Sequence, residues 1–293
     1  YPLLAPSVHA WIHEVSGTWD GRPLRICMAA FFAASLGVVL QVLRRRVPER
    51  PAWLLTALFG ATPAVLTAES GGALSGYVDY PLAIFLLVTV DRLAAWIEAP
   101  DPGAAAVAAL GVACLSQMKD EGIAIAFLLV LLAPGVGLIH GGPRRAAGAA
   151  GLCVGGAALA AAWLLVRQSF LADDNHLGAS PGLRIGWLPE VVRLLFSQML
   201  RPKEWTLLWV AILAVLVLRP PSPRRPESLL PWTGIGLLLL YVLVWCAFPG
   251  ESPKQVMRHG VNRLVLHVLP IFFVWTAGRV HEELQSRARR MPA

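Results

Sequence analysis

The stretch 229–247, LLPWTGIGLLLLYVLVWCA, runs through 19 residues without a charged side chain. At 1.5 Å per residue a helix of roughly 20 residues crosses the ~30 Å hydrocarbon core of a bilayer, and this stretch has that length. It is not alone. Similar apolar runs occupy 24–43, 81–98, 122–138 and 146–166. Across the chain 56% of residues are hydrophobic and only 15% charged, and the mean hydropathy is +0.61. A soluble domain of 293 residues cannot bury that much apolar surface in one core. The expected fold class is therefore all-α, a polytopic transmembrane helical bundle.

Working outward from these runs, the expected spans are 24–43, 52–68, 80–98, 104–118, 122–139, 146–166, 204–218, 229–247 and 263–280, about nine crossings. The pair 104–118 and 122–139, joined by Met118-Lys119-Asp120-Glu121, reads equally as one re-entrant element. Segment 2–16 is too short to cross and carries His9, His13 and Glu14, which suits an interfacial helix. The larger connection 167–203 is expected to hold a second interfacial helix near 189–200, because Val191, Val192, Leu194, Leu195 and Met199 are apolar while Arg193 and Gln198 are not.

The net charge of +7 does not point to nucleic acid, because the basic residues stand in short clusters between apolar runs. Arg44 to Arg46 with Arg50, Arg144 with Arg145, Arg219 with Arg224 and Arg225, and the tail Arg287, Arg289 and Arg290 fall on alternate loops. By the positive-inside rule those loops are cytoplasmic, which puts the first residues outside and the C-terminus in the cytoplasm. Asp20, Glu69, Asp79, Asp120, Glu121, Asp173, Asp174, Glu190 and Glu251 then share the external side. Cys27, Cys114, Cys153 and Cys246 each sit inside an apolar run without CxxC spacing, and give neither a metal site nor a disulfide framework. Tyr1 is followed by Pro-Leu-Leu-Ala-Pro with no basic segment, so no signal peptide is read there, and the chain is expected to be a fragment lacking its N-terminus. There is no internal repeat and no Walker loop or GxGxxG.

Three external stretches could carry chemistry. In Ser75-Gly76-Tyr77-Val78-Asp79-Tyr80-Pro81, Pro81 suits the first turn of a helix. Asp79 there is either a plain N-cap or a site carboxylate. In Met118-Lys119-Asp120-Glu121-Gly122, three adjacent charges in a tight turn must be satisfied by one another or by a ligand. In Lys254-Gln255-Val256-Met257-Arg258-His259-Gly260-Val261-Asn262-Arg263, three cations stand beside apolar helices and suit a phosphate, or alternatively lipid headgroups. His267 lies about one turn beyond Arg263 and reads as a buried, hydrogen-bonded histidine. Asp91 and Arg92 lie near the other end of their span, where snorkelling or pairing with neighbours is expected.

On these residues the chain resembles the GT-C superfamily of membrane glycosyltransferases, which includes protein mannosyltransferases and lipid A aminoarabinose transferases. Tyr1-Pro2-Leu3-Leu4 with Pro6 is similar to the end of the family's first external loop, and Arg44 to Arg46 to the cytoplasmic stop that follows. Gly76 to Ala83 resembles the element GYADxPLA, Lys119-Asp120-Glu121-Gly122 resembles TKNEG, and the segment from Asn262 to Pro270 resembles the terminal DRLxLxxxP. The likeness is spread over nearly the whole of 1–293, read as one transmembrane domain with the first helix and first external loop missing.

The resemblance implies transfer of a sugar from a polyprenyl-phosphate donor to an acceptor hydroxyl, on a glycan or a lipid, at the outer face of a bacterial inner membrane. It implies Asp79 as a catalytic carboxylate, with Lys119, Arg258 and Arg263 binding the donor phosphate and Tyr77, Asp120, Glu121, Lys254 and His259 contacting substrate. The family's principal catalytic aspartate belongs to the upstream loop, so the fragment is expected to be catalytically incomplete. A divalent metal is the one cofactor left open, and nucleic acid is not a partner. Lys119-Asp120 stands where the family has Lys-Asn, and Asn262 where it has Asp. A transporter or lipid flippase is the alternative function, and an O-antigen-ligase-like enzyme the alternative within the transferases.

Overall fold

A computed structural model describes residues 4–18, 21–67, 71–75, 77–170, 182–247, 252–257 and 260–290. It is 85% helix, with no strand among the described residues. The chain is an integral membrane protein. Among the described residues five helices are long and apolar enough to cross a bilayer, starting with α2 (Arg22–Arg44) and α5 (Asp79–Glu98). The others are α7 (Asp120–Phe170, apolar to Val166), α11 (Leu229–Ala247) and α13 (Val261–Ala288). Leu54, Leu131, Val217 and Leu218 are each more than 70% exposed, a surface that hydrocarbon and not water would cover.

The nine expected segments all meet helix, but not nine long helices. Pro63 ends the element begun at Glu49: Thr62 ahead of it takes extended dihedrals, as residues before proline do. Residues 52–68 thereby divide into α3 (Glu49–Gly60) and α4 (Pro63–Leu66), and 12 residues cover only about 18 Å. Residues 204–218 divide in the same way into α9 (Pro202–Trp205) and α10 (Leu208–Leu218), parted at Thr206 with φ 55°. The short α6 (Pro102–Met118) holds the fourth expected segment. Residues 122–139 and 146–166 form the two arms of α7, which are two helices parted at the non-helical Gly142 (φ 75°, ψ −169°) ahead of Pro143. Its second arm returns along α6, since Gly156 abuts Val112 and Gln117 bonds the Leu159 carbonyl.

α5 and α13 form the centre, where about 70% of each apolar window is buried against 33% for α2. Tyr80, Leu82, Leu86, Leu87, Leu93 and Ile97 of α5 are fully buried, and so is Phe272 of α13. Ordinary apolar packing fills the middle of the bundle, and charge collects at its two ends. At the far end of α5, Asp91 is 2% exposed and is held by Arg45 and Arg46 at 2.7 Å each and by Arg92 at 2.5 Å. The expected pairing of Asp91 and Arg92 is seen there, and α2 is locked to α5 by it.

The amphipathic segment expected near 189–200 is the helix α8 (Leu188–Met199), with Val191, Leu195 and Met199 buried one turn apart and Arg193 exposed. The N-terminal segment is α1 (Leu4–Ser16), which packs against α2 and α6. Asp173 and Asp174 lie outside the described residues.

Candidate functional site

α5 begins at Asp79, the end of the helix opposite Asp91. Val78 occupies the capping position and makes no side-chain cap bond. The Asp79 carboxylate points instead into the bundle, where it is 0% exposed. Lys119 Nζ donates to Oδ1 at 2.9 Å, Arg263 donates through Nε at 2.8 Å and Nη2 at 2.7 Å to Oδ2, and His267 Nε2 lies 3.0 Å from Oδ1. The N-cap alternative is therefore set aside: the carboxylate is a hub for three helices. A buried carboxylate is tolerable only when its charge is matched and its lone pairs filled, and these donors do both.

Each donor arrives for a local reason. Lys119 occupies the one extended residue between α6 and α7 (φ −161°, ψ 162°), so its side chain leaves the turn sideways. The turn is this tight because Gly122 lies against the Leu115 carbonyl, where a Cβ would stand 1.9 Å from the oxygen. Lys119 also meets Glu121 at 2.8 Å. Burial pulls the Lys119 ammonium down, but the charges of Glu121 and Asp79 outweigh it and hold its pKa above the ordinary lysine value. Arg263 and His267 are four residues apart on α13 and so share a face. With its proton on Nε2, His267 donates to Asp79 while its Nδ1 accepts the Tyr241 hydroxyl at 2.9 Å. Gly71 closes the hub from above: its φ is +72°, and a Cβ there would lie 3.0 Å from Asp79 Oδ2 and 3.1 Å from Arg263 Cγ.

Two cations face two carboxylates in this cluster, and the deep members are spent on one another. The open members are Arg263 and Glu121, with side chains 27% and 26% exposed. The Arg263 guanidinium lies over the Tyr77 ring at 4.5 Å, and Tyr77 is 50% exposed. Tyr77 in turn forms a wall of an apolar groove of about 480 Å³. α1 lines it with Leu4, Val8 and Ile12, α2 with Met28 and Phe31, and α5 with Pro81 and Phe85. The partly exposed Arg263 guanidinium and an apolar groove therefore adjoin through one aromatic ring.

The sequence-expected residues divide accordingly. Asp79, Lys119, Glu121, Arg263 and Tyr77 come together. Asp120 is exposed on the first turn of α7. Lys254 belongs elsewhere: on α12 (Pro253–Met257) it lines a separate cavity with Leu194, Ser197, Gln198 and Arg201 of the α8 region. Arg258 and His259 lie outside the described residues. Asp79, expected as a catalytic carboxylate, has no open oxygen in this arrangement and serves to fix Lys119 and Arg263. His267 is buried and hydrogen-bonded as expected. Its bond to Asp79 was legible only in its four-residue spacing from Arg263, and Tyr241 gave no signal. Among the described residues no group of three or more His, Cys, Asp or Glu side chains is placed to hold a metal ion. No protein-family model, curated protein or solved structure matches this chain.

Proposed function

We propose that the chain is a membrane glycosyltransferase of GT-C type that takes its sugar from a polyprenyl-phosphate donor at the Asp79 end of the bundle. The observation that carries this reading is the junction of Arg263, stacked on Tyr77, with the apolar groove behind that ring. A polyprenyl phosphate has to keep its tail in hydrocarbon while its phosphate meets cations, and both halves of that requirement adjoin here. In the reaction the acceptor oxygen attacks the anomeric carbon, the bond from that carbon to the phosphate oxygen breaks, and the phosphate leaves as an anion. Arg263, the open cation of the cluster, meets that anion, and Lys119 buried behind it contributes to the field without direct contact. Glu121, the partly open carboxylate of the cluster, takes up the proton that the acceptor hydroxyl gives up. About nine crossings, with this end external and the arginine-rich end cytoplasmic, complete the proposal.

Sealed vesicles containing the full-length protein and a radiolabelled polyprenyl-phosphate sugar test it. Label moving from the donor into acceptor material, with free polyprenyl phosphate released, is expected. The buried hydrogen-bonded chain Asp79–His267–Tyr241 places polar groups inside the bundle and favours the flippase reading. A flippase would move the intact donor to the opposite leaflet with no sugar transferred, and that result would replace the proposal.

Orientation is tested separately. In a chain with its four cysteines replaced, Lys203→Cys is expected to react with an impermeant reagent added outside intact cells, and Ser222→Cys only after lysis. Both positions are exposed, so access is set by sidedness alone. The reverse pattern would invert the bundle and put the Asp79 cluster in the cytoplasm.

A further inference from the structure

The opposite end of α13 carries a second constellation that the transfer reaction does not use. Two adjacent glutamates each gather arginines from two elements. Glu282 accepts from Arg279 at 2.6 Å and from Arg225 at 2.9 Å, and Glu283 accepts from Arg287 at 2.9 Å and from Arg219. Arg219 ends α10 and Arg225 precedes the turn into α11, so the glutamates pin the α10–α11 connection against α13. Hydrogen bonding to Glu282 raises the pKa of Arg225 above its ordinary value. The arrangement is over-supplied with positive charge: five arginines against two glutamates line a cavity of about 540 Å³. Arg279 Nε has no acceptor among the described residues, so Glu282 does not satisfy that guanidinium in full.

The cavity does not end in water alone. Arg219, Arg279 and Glu283 also line a second groove of about 430 Å³, walled by Val215, Leu218, Val280 and Leu284. Leu218 and Leu284 are 75% and 60% exposed. Nearby, Arg46 packs over Gly278 while holding Asp91, which adds to the positive field at this end. A soluble polyanion would be met by the arginines but would have no use for the apolar groove that opens from among them. A lipid has use for both.

The geometry points to a binding site for one anionic phospholipid, its phosphate in the arginine cavity and an acyl chain along Leu218 and Leu284 between α10 and α13. Charge complementarity selects the anionic headgroup, since interfacial arginines attract anionic lipids. By clamping α10 and α11 to α13, the lipid would stabilise the helix that carries Arg263 and His267 at its other end. The site itself rests on no assumption about the reaction.

Native mass spectrometry of the full chain, released from nanodiscs of phosphatidylcholine with one-fifth phosphatidylglycerol or cardiolipin, reads the site directly. Retention of one anionic lipid in preference to phosphatidylcholine is expected, with retention weakened on the order of tenfold or more in Arg219→Gln/Arg225→Gln. If that variant fails to fold, Arg289→Gln/Arg290→Gln at the rim is expected to weaken retention in the same sense. Leu284→Glu is expected to reduce lipid retention while leaving the binding of inorganic phosphate unchanged. Equal retention of the two lipid classes, or retention indifferent to the arginine variants, would overturn the site. Inorganic phosphate displacing the lipid, with Leu284→Glu without effect, would overturn it in favour of a free-anion site.

Discussion

Replacing Asp79 by alanine is expected to cost the folded chain on the order of 3–5 kcal/mol, the range for removing one partner of a buried ion pair. The expectation rests on what is left behind. Lys119 is 6% exposed, His267 is 0% exposed, and both would lose an acceptor they cannot replace with water. Asp79→Asn should cost less, because the amide oxygen still accepts while the compensating charge is gone. Thermal unfolding in detergent, read with the Lys119→Met and Asp79→Ala/Lys119→Met variants, separates the pair from its surroundings. Coupling of about 1–3 kcal/mol between the two substitutions is expected, since the double variant removes the stranded cation. Strictly additive losses would mean that Asp79 and Lys119 do not depend on one another. The pairing is complete at neutral pH: the Lys119 pKa is held above the ordinary lysine value, so its share of the stability is present below that value and is lost only as pH rises through the alkaline range.

The membrane class of this fold was legible because hydrocarbon length is a hard constraint on apolar runs, and 24–43, 80–98, 229–247 and 263–280 met it without competition. The span count was less legible, for reasons confined to single residues. Hydropathy averages over a window and does not register that Pro63 stops a helix, or that Thr206 takes a positive φ, so 52–68 and 204–218 looked continuous. By contrast, Gly142 ahead of Pro143 takes a non-helical conformation and parts two helices, where the expected segments 122–139 and 146–166 were already separated. The site was partly legible for a similar reason. Asp79, Lys119 and Arg263 are costly beside apolar runs, and cost made them visible in the sequence. Sequence does not state how far such groups neutralise one another, and the outcome here is that the buried acid takes up the cations instead of leaving them free. His267 and Tyr241 were hidden because a single polar group in an apolar helix fits a quiet hydrogen bond as well as a role in a site.

Lys119→Ala and Arg263→Ala are each expected to lower sugar transfer in the sealed-vesicle assay by about 10²–10³-fold, or about 2.7–4 kcal/mol of transition-state stabilisation. The leaving phosphate gains negative charge as its bond to the sugar breaks, and a cation already fixed in place stabilises that charge without reorganising. Asp79 does the fixing: two bonds from Arg263 and one from Lys119 hold both cations to one buried carboxylate, with Tyr77 under the guanidinium plane. Because either loss also strands part of Asp79, each variant must first be shown to unfold at a temperature above that of the assay. Arg263→Lys then distinguishes charge from geometry. It keeps the positive charge but loses the planar fork, so an intermediate loss is expected if bidentate contact matters and almost none if charge alone does. A substitution in the groove gives an independent reading. Phe85→Ala leaves the ion pairs untouched and is expected to raise KM for a long-chain donor while leaving kcat nearly unchanged, since the tail is bound alike in the ground and transition states. Folded Lys119→Ala and Arg263→Ala proteins with undiminished transfer would show that the cluster only holds α5, α7 and α13 together, and that the donor phosphate is met somewhere else.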